Sequence, residues 1–78
     1  MKAEERKYCE YMKDSCGAFF WHLIKAIEFS DEVNEKLLSK SYPGLVNVVR
    51  KVKYKAGYSQ ELKRKWNKIY RGNKFDIL

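Results

Sequence analysis

Residues 41–72, which read SYPGLVNVVRKVKYKAGYSQELKRKWNKIYRG, decide the fold. Pro43 opens this stretch, and proline fits the first turn of a helix because its missing amide would have no partner there. Apolar residues then recur at the i, i+3, i+4 and i+7 spacing of one helix face, namely Leu45, Val48, Val49 and Val52. Gly57 stands where helices often end in a left-handed residue. The pattern predicts a helix over about 43–56.

A second basic helix follows after a short turn. Ser59 is a predicted cap for a helix over about 60–71, and Gly72 is predicted to end it. Its apolar face is predicted to hold Leu62, Trp66, Ile69 and Tyr70. The tail keeps three further apolar residues, Phe75, Ile77 and Leu78, which are expected to pack on the body or on a neighbouring chain.

The N-terminal part reads as one long helix from about Ala3 to Glu28, interrupted by Gly17, which marks a bend or a close approach of another backbone. Its predicted apolar face consists of Cys9, Met12, Cys16, Phe19, Phe20, Leu23 and Ile27. Ser30 is the predicted cap of a short helix over about 31–39. The apolar side of that helix is predicted to hold Val33, Leu37 and Leu38.

These helical patterns predict an all-α fold, a compact bundle of three to four helices that forms a single domain over residues 1–78. A chain of this length buries only about 60% of its unfolded surface, so one small core has to carry the fold. No stretch approaches the ~20 apolar residues of a membrane-spanning helix, and we expect no membrane partner.

Cysteine and histidine usage predicts neither a disulfide nor a metal site. On one continuous helix Cys9 and Cys16 would stand about 10.5 Å apart, which is too far for a disulfide. Two cysteines and one histidine also cannot supply the four ligands of a structural zinc. Both cysteines are therefore interpreted as core thiols in a reducing cytoplasm, and no cofactor is predicted.

Charge is divided unevenly between the two halves of the chain. Residues 1–39 carry six basic and eight acidic side chains, a balance of −2, whereas residues 40–78 carry eleven basic and two acidic ones, a balance of +9. Such asymmetry predicts a polyanionic partner. The alternative is a solvated surface that keeps the protein in solution.

Two helix faces are candidate binding sites for phosphate. An arginine one turn from an exposed tyrosine can hold a phosphate and stack a base, as Arg50 and Tyr54 would. The full candidate set comprises Asn47, Arg50, Lys51, Tyr54, Tyr58, Lys63, Arg64, Asn67, Lys68 and Arg71. The alternative interpretation is two solvated faces whose cations contact their own aromatic neighbours.

Trp21 is predicted to lie at an interface, together with Gly17 and Lys25. It projects away from the apolar face of the first helix, and a large exposed aromatic residue on a small protein indicates a contact. We expect a second subunit there, and hence a homo-oligomer. Another helix of the same chain is the alternative.

Residues 19–46 resemble small helical accessory proteins carried by bacteriophages and related mobile elements. The shared pattern is an aromatic pair at Phe19-Phe20, followed by Leu23, Ala26-Ile27, Asp31, Asn34, Tyr42-Pro43 and Val46. The pattern often shows an acidic pair after the proline, where this chain has Gly44-Leu45. The resemblance implies a phage-type protein in the cytoplasm of a bacterial host, and it implies no chemistry.

A non-catalytic binding protein for phosphate-bearing ligands is the function that these observations predict. In a phage setting this means sequestration of a nucleotide immune signal. Non-specific binding of DNA or RNA is one alternative, and inhibition of a host defence protein through Trp21 is another. No catalytic residue is predicted, because the sequence has no Ser-His-Asp set and no glycine-rich phosphate loop, and His22 is interpreted as a core histidine.

Overall fold

The computed structural model describes residues 1–77, and every regular element in that range is a helix. The helices are α1 (Ala3–Met12), α2 (Ala18–Phe29), α3 (Glu32–Ser41), α4 (Pro43–Tyr54) and α5 (Tyr58–Ile69). The all-α class is confirmed. The expected three to four helices become five, because the long N-terminal helix is divided into two.

The division lies between Met12 and Ala18. Asp14 has a φ of 58° and Gly17 a φ of 84°, and neither value belongs to a right-handed helix. Gly17 adopts its conformation at little cost because it has no Cβ atom. Continuity of α1 and α2 was wrongly predicted, since Gly17 precedes α2 as its N-cap instead of lying within a helix.

The cap of α3 lies one residue later than predicted. Asp31, and not Ser30, accepts a hydrogen bond from the Asn34 amide, at 2.8 Å. The Ser30 hydroxyl instead donates to the carbonyl of Ile27, also at 2.8 Å, and so completes the end of α2. The two side chains therefore serve two different helix ends.

The core is built around α4, which packs against each of the other four helices. The predicted residues Leu45, Val48 and Val49 are buried, and Val52 is half-buried. The buried cluster contains Tyr8, Cys9, Ile24, Ile27, Leu45, Val46, Val48, Val49, Tyr58, Leu62 and Trp66. Cys9 and Cys16 are both buried free thiols.

Four residues predicted on apolar faces are instead exposed, namely Phe19, Val33, Leu37 and Ile69. The break before α2 changes the rotation of that helix relative to α1, so Phe19 no longer lies in line with the core residues of α1. No residue of α3 is fully buried, and Leu38 is the apolar residue of this helix that packs against the core. Ile69 stands at the last position of α5, where the bundle ends.

The C-terminal segment folds back onto α5. The indole nitrogen of Trp66 donates to the carbonyl of Asn73 at 2.6 Å, and the Trp66 and Phe75 ring centroids lie 6.1 Å apart. Phe75 therefore packs on the body of its own chain, one of the two predicted outcomes. The prediction for Leu78 lies outside the described residues.

Within residues 1–77, none of the helices has both the length and the apolar character needed to cross a membrane. The same residues contain no group of three histidine, cysteine or acidic side chains placed to hold a metal ion.

Candidate phosphate-binding surface

The outer side of α5 presents basic side chains to solvent. Tyr58, Leu62 and Trp66 recur every four residues and point into the core, so the opposite side of the helix faces outward. Arg64 and Lys68 lie there one turn apart, about 6 Å along the helix axis, and both are exposed. Arg71 is exposed too, in the turn after α5 and not in the helix as predicted. We call Arg64, Lys68 and Arg71 the basic surface.

No acidic side chain neutralises the basic surface. Residues 1–77 contain six ion pairs, and none of them includes Arg64, Lys68 or Arg71. Lys65, on another side of α5, is the cation of that helix that pairs with Glu5 and Glu61. Arg64 and Lys68 are like charges at i, i+4, which repel by a few tenths of a kcal/mol. A bound anion would relieve this repulsion.

Lys63 and Asn67, also predicted to bind phosphate, serve the C-terminal segment instead. The Lys63 ammonium lies 5.7 Å from the centroid of the Phe75 ring. The Asn67 amide donates to the Phe75 carbonyl at 2.9 Å and accepts from the Phe75 amide at 2.7 Å. Both polar groups of Asn67 are therefore occupied, and it holds the tail in place.

The candidate residues of α4 are not brought together into one site. Arg50 turns toward α3, where its Nε atom lies 3.2 Å from an oxygen of Glu35. Lys51 turns to the other side of the helix, and its ammonium lies 5.6 Å from the centroid of the Tyr58 ring. Tyr54 is 78% exposed. Its ring is available for stacking, but the neighbouring arginine already has an acidic partner.

Tyr58 is a core residue and not a surface residue as predicted. It is 4% exposed, and its hydroxyl donates to a carboxylate oxygen of Glu5 at 3.0 Å. A buried ring has no free face on which a base can stack. No local sequence pattern indicates this contact, because the two residues are 53 positions apart.

A small cavity beside α4 is unsuited to a phosphate. It has a volume of about 240 Å³ and is lined by Lys2, Glu4, Glu5, Gly44, Asn47, Val48, Lys51 and Tyr58. Asn47 and Lys51 were both predicted to bind phosphate. The two carboxylates of this cavity would repel an anion. Among the candidate phosphate-binding residues, Arg64, Lys68 and Arg71 are therefore exposed cations with neither an acidic partner in residues 1–77 nor a carboxylate in a shared cavity.

Glu5 is the buried charge that joins α1 to α5. Burial raises its pKa, but hydrogen bonds from the Lys2 amide and the Tyr58 hydroxyl, together with the charge of Lys65, outweigh this effect. The pKa therefore lies below its ordinary value of 4.5. A carboxyl group whose pKa is lowered by folding stabilises the fold above its ordinary pKa, and this contribution is lost as the pH falls through the lowered value.

Tyr58→Phe should therefore destabilise the protein by about 1–3 kcal/mol at neutral pH, because it removes a donor from a buried carboxylate. The loss should shrink in acid, as the pH falls below 4.5 and through the lowered pKa of Glu5, because the carboxylate that accepts the Tyr58 hydrogen bond is then protonated in the folded protein. Urea unfolding of both proteins at several pH values measures this. An equal difference at neutral and strongly acidic pH would contradict the role given to Glu5.

A second surface consists of apolar residues on α2 and α3. Trp21 is 37% exposed, and the ammonium of Lys25 lies 5.4 Å from the centroid of its ring and 6.0 Å from that of Phe29. Phe29, Val33 and Leu37 are 83%, 68% and 54% exposed. We call Trp21, Lys25, Phe29, Val33 and Leu37 the apolar strip; it consists of four apolar residues and the lysine that lies near two of their rings. The predicted interface residues Trp21 and Lys25 thus belong to a longer strip, and Gly17 is exposed just before α2.

His22 is exposed, so its prediction as a core histidine was wrong. Its ring meets Trp21 edge to face, with centroids 5.1 Å apart. It also lines a cavity of about 370 Å³ at the start of α2, together with Asp14, Cys16, Gly17, Ala18 and Trp21. No hydrogen bond joins His22 to Cys16, whose thiol contacts the Gly17 carbonyl at 3.4 Å.

Comparison of the chain with protein-family models, with curated proteins and with solved structures gives no match.

Proposed function

We propose that this protein is a non-catalytic binder of phosphate-bearing ligands, and that the ligand is a nucleic acid held by its phosphate backbone. The observation that carries the proposal is the basic surface, three exposed cations without an acidic partner in residues 1–77. Contacts from arginine and lysine to phosphates give affinity without reading base sequence. We therefore expect little sequence preference.

A polymer fits this surface better than a single small nucleotide. Small ligands bind in concave sites that bury most of their surface. The cavity that holds Asn47 and Lys51 also contains Glu4 and Glu5, whereas the basic surface lies on the outside of a helix. Sequestration of a nucleotide immune signal by a phage-type protein remains a prediction. Its direct check is calorimetric titration with linear and cyclic nucleotides.

The salt dependence of binding tests the proposal. The logarithm of the association constant should fall linearly with the logarithm of salt concentration, by about 0.9 for each duplex phosphate neutralised. Three cations predict a slope of about −2.7. Fluorescence anisotropy with two labelled duplexes of unrelated sequence should give the same slope and similar affinities. Absence of binding to DNA and RNA at low salt would contradict the proposal.

Self-association is a second candidate function, and the apolar strip favours it. Three large apolar residues that stay more than half exposed mark a contact surface on a small protein. Trp21→Ala should lower the oligomer order in light scattering and leave the helical circular dichroism intact, since the side chain is not in the core. A wild-type protein that is monomeric at high concentration would exclude this candidate. Loss of helical signal in the variant would place Trp21 among the residues that hold the fold.

A further inference from the structure

An apolar cavity opens between α1, α2 and the start of α4. It has a volume of about 310 Å³, near the lower end of the range for small-molecule sites. Phe20 and Tyr42 line it with Pro43 and Leu45, and both rings are half-buried. Phe19 connects the two rings, because its centroid lies 5.2 Å from that of Phe20 and 6.5 Å from that of Tyr42. The cavity thus has an aromatic wall that is only partly covered.

Arg6 joins this cavity to the end of α5. Its side chain lines the cavity and also a neighbouring groove formed with Met1, Ala3, Ile69 and Tyr70. Arg71, the last member of the basic surface, follows Tyr70 directly in the chain. Arg6 is exposed and takes part in none of the six ion pairs of residues 1–77. Arg6 thus lies at both the cavity and the groove, and the groove reaches the residue that precedes Arg71.

Two further charged residues, Lys7 and Glu4, line the cavity beside Arg6. The Lys7 ammonium pairs with Glu10 at 2.9 Å and lies 4.6 Å from the centroid of the Phe20 ring. The Glu4 carboxyl group lies against the start of α4, so close that a Cβ atom at Gly44 would stand 2.7 Å from its carboxyl carbon. Of the two cations in the lining, Lys7 has an acidic partner, and Arg6 is the one without an ion pair in residues 1–77.

We propose that the nucleic acid is single-stranded, that one unstacked base enters this cavity, and that Arg6 and Arg71 hold phosphates beside it. This inference rests on the proposed function. Bases in a duplex are stacked and paired, so they cannot enter a cavity without being extruded. An unpaired base offers its π-face to aromatic side chains, and this contact tolerates any sequence. An exposed arginine beside a cavity with aromatic walls supplies the two elements found in single-strand binding sites, a cation for the backbone and rings for the bases.

The test compares one labelled oligonucleotide as a single strand and as a duplex, at one salt concentration, by fluorescence anisotropy. The wild type should bind the single strand at least about tenfold more tightly. Tyr42→Leu keeps an apolar side chain but removes the ring, and it should weaken single-strand binding by about 5- to 150-fold, the range for one stacked base. Tyr42→Phe keeps the ring and is the matched control.

A second variant fills part of the cavity and leaves its aromatic residues unchanged. Ala3 is exposed at the first position of α1 and lines the cavity, so Ala3→Leu fills part of the space. Leucine is a good helix former, and the fold should be retained, which thermal unfolding checks. Single-strand affinity should fall while duplex affinity stays unchanged.

Equal affinity of the wild type for both forms would overturn the inference and leave the proposed function intact. Unchanged single-strand binding in Tyr42→Leu and Ala3→Leu, or equal losses for both forms, would also overturn it. Failure of the proposed function gives a different result, since the wild type would then bind neither form.

Discussion

Replacement of Arg64 and Lys68 together by glutamate should abolish nucleic-acid binding for every sequence alike. The double variant changes the local charge by four units and leaves Arg71 as the one cation of the basic surface. Both side chains are exposed and make no ion pair in residues 1–77, so the fold should tolerate the change within about 0.5 kcal/mol per site. Fluorescence anisotropy at low salt measures the loss, and circular dichroism checks the fold.

The matched control is Lys36→Glu with Lys40→Glu on α3. It changes the net charge by the same four units at two exposed positions away from α5. The one ion pair that it breaks, Lys36 with Glu32 at 4.0 Å, is highly exposed and contributes little. The control should retain most of the binding. If it loses as much as the α5 variant, the attraction is spread over the whole molecule and the basic surface is not the site.

Trp66→Ala should cost about 3–5 kcal/mol of unfolding free energy. Its side chain is 4% exposed, its ring centroid lies 4.0 Å from that of Tyr70, and its indole nitrogen holds the Asn73 carbonyl. At about 0.05–0.15 kcal/mol per residue, a chain of this length has a total stability of about 4–12 kcal/mol. The variant should therefore be close to unfolding, and urea denaturation measures the difference.

Trp66→Phe distinguishes the contribution of the aromatic ring from that of the hydrogen bond. It keeps an aromatic ring against Tyr70 and removes the donor to Asn73, so it should cost less than the alanine variant. Amide hydrogen exchange should show faster exchange in residues 70–77 for both variants. A loss below about 1 kcal/mol in Trp66→Ala would contradict the view that this residue anchors both α5 and the tail.

Local signals made α4 and α5 predictable from the sequence. Leu45, Val48, Val49 and Val52 recur at the i, i+3, i+4 and i+7 spacing of one helix face, and Pro43 marks the first turn of that helix. Gly57 has the predicted left-handed backbone, with a φ of 79°. Arg64 and Lys68 were found for the same reason, because the side of an amphipathic helix opposite its core residues must face outward.

The features that the sequence did not predict depend on contacts between residues that lie far apart in the chain. The apolar pattern of the first helix runs through Gly17 without a proline, so only the positive φ of Asp14 and Gly17 reveals the break. In the sequence, Tyr58 and Asn67 stand among basic residues, as binding residues would. In the structure, their polar atoms form hydrogen bonds with Glu5 and Phe75. The aromatic cavity was not predicted either, because its lining residues come from four helices, α1 to α4.

The most direct measurement is an NMR titration of ¹⁵N-labelled protein with a short unlabelled nucleic acid. It follows both the backbone amides and the Nε–H signals of the arginines. We expect the largest shifts at Arg64, Lys68 and Arg71, and no shift of the Arg50 Nε–H signal, because this group is paired with Glu35. Shifts centred on Arg50 and Tyr54, with the α5 signals unmoved, would contradict the assignment of α5 as the binding surface.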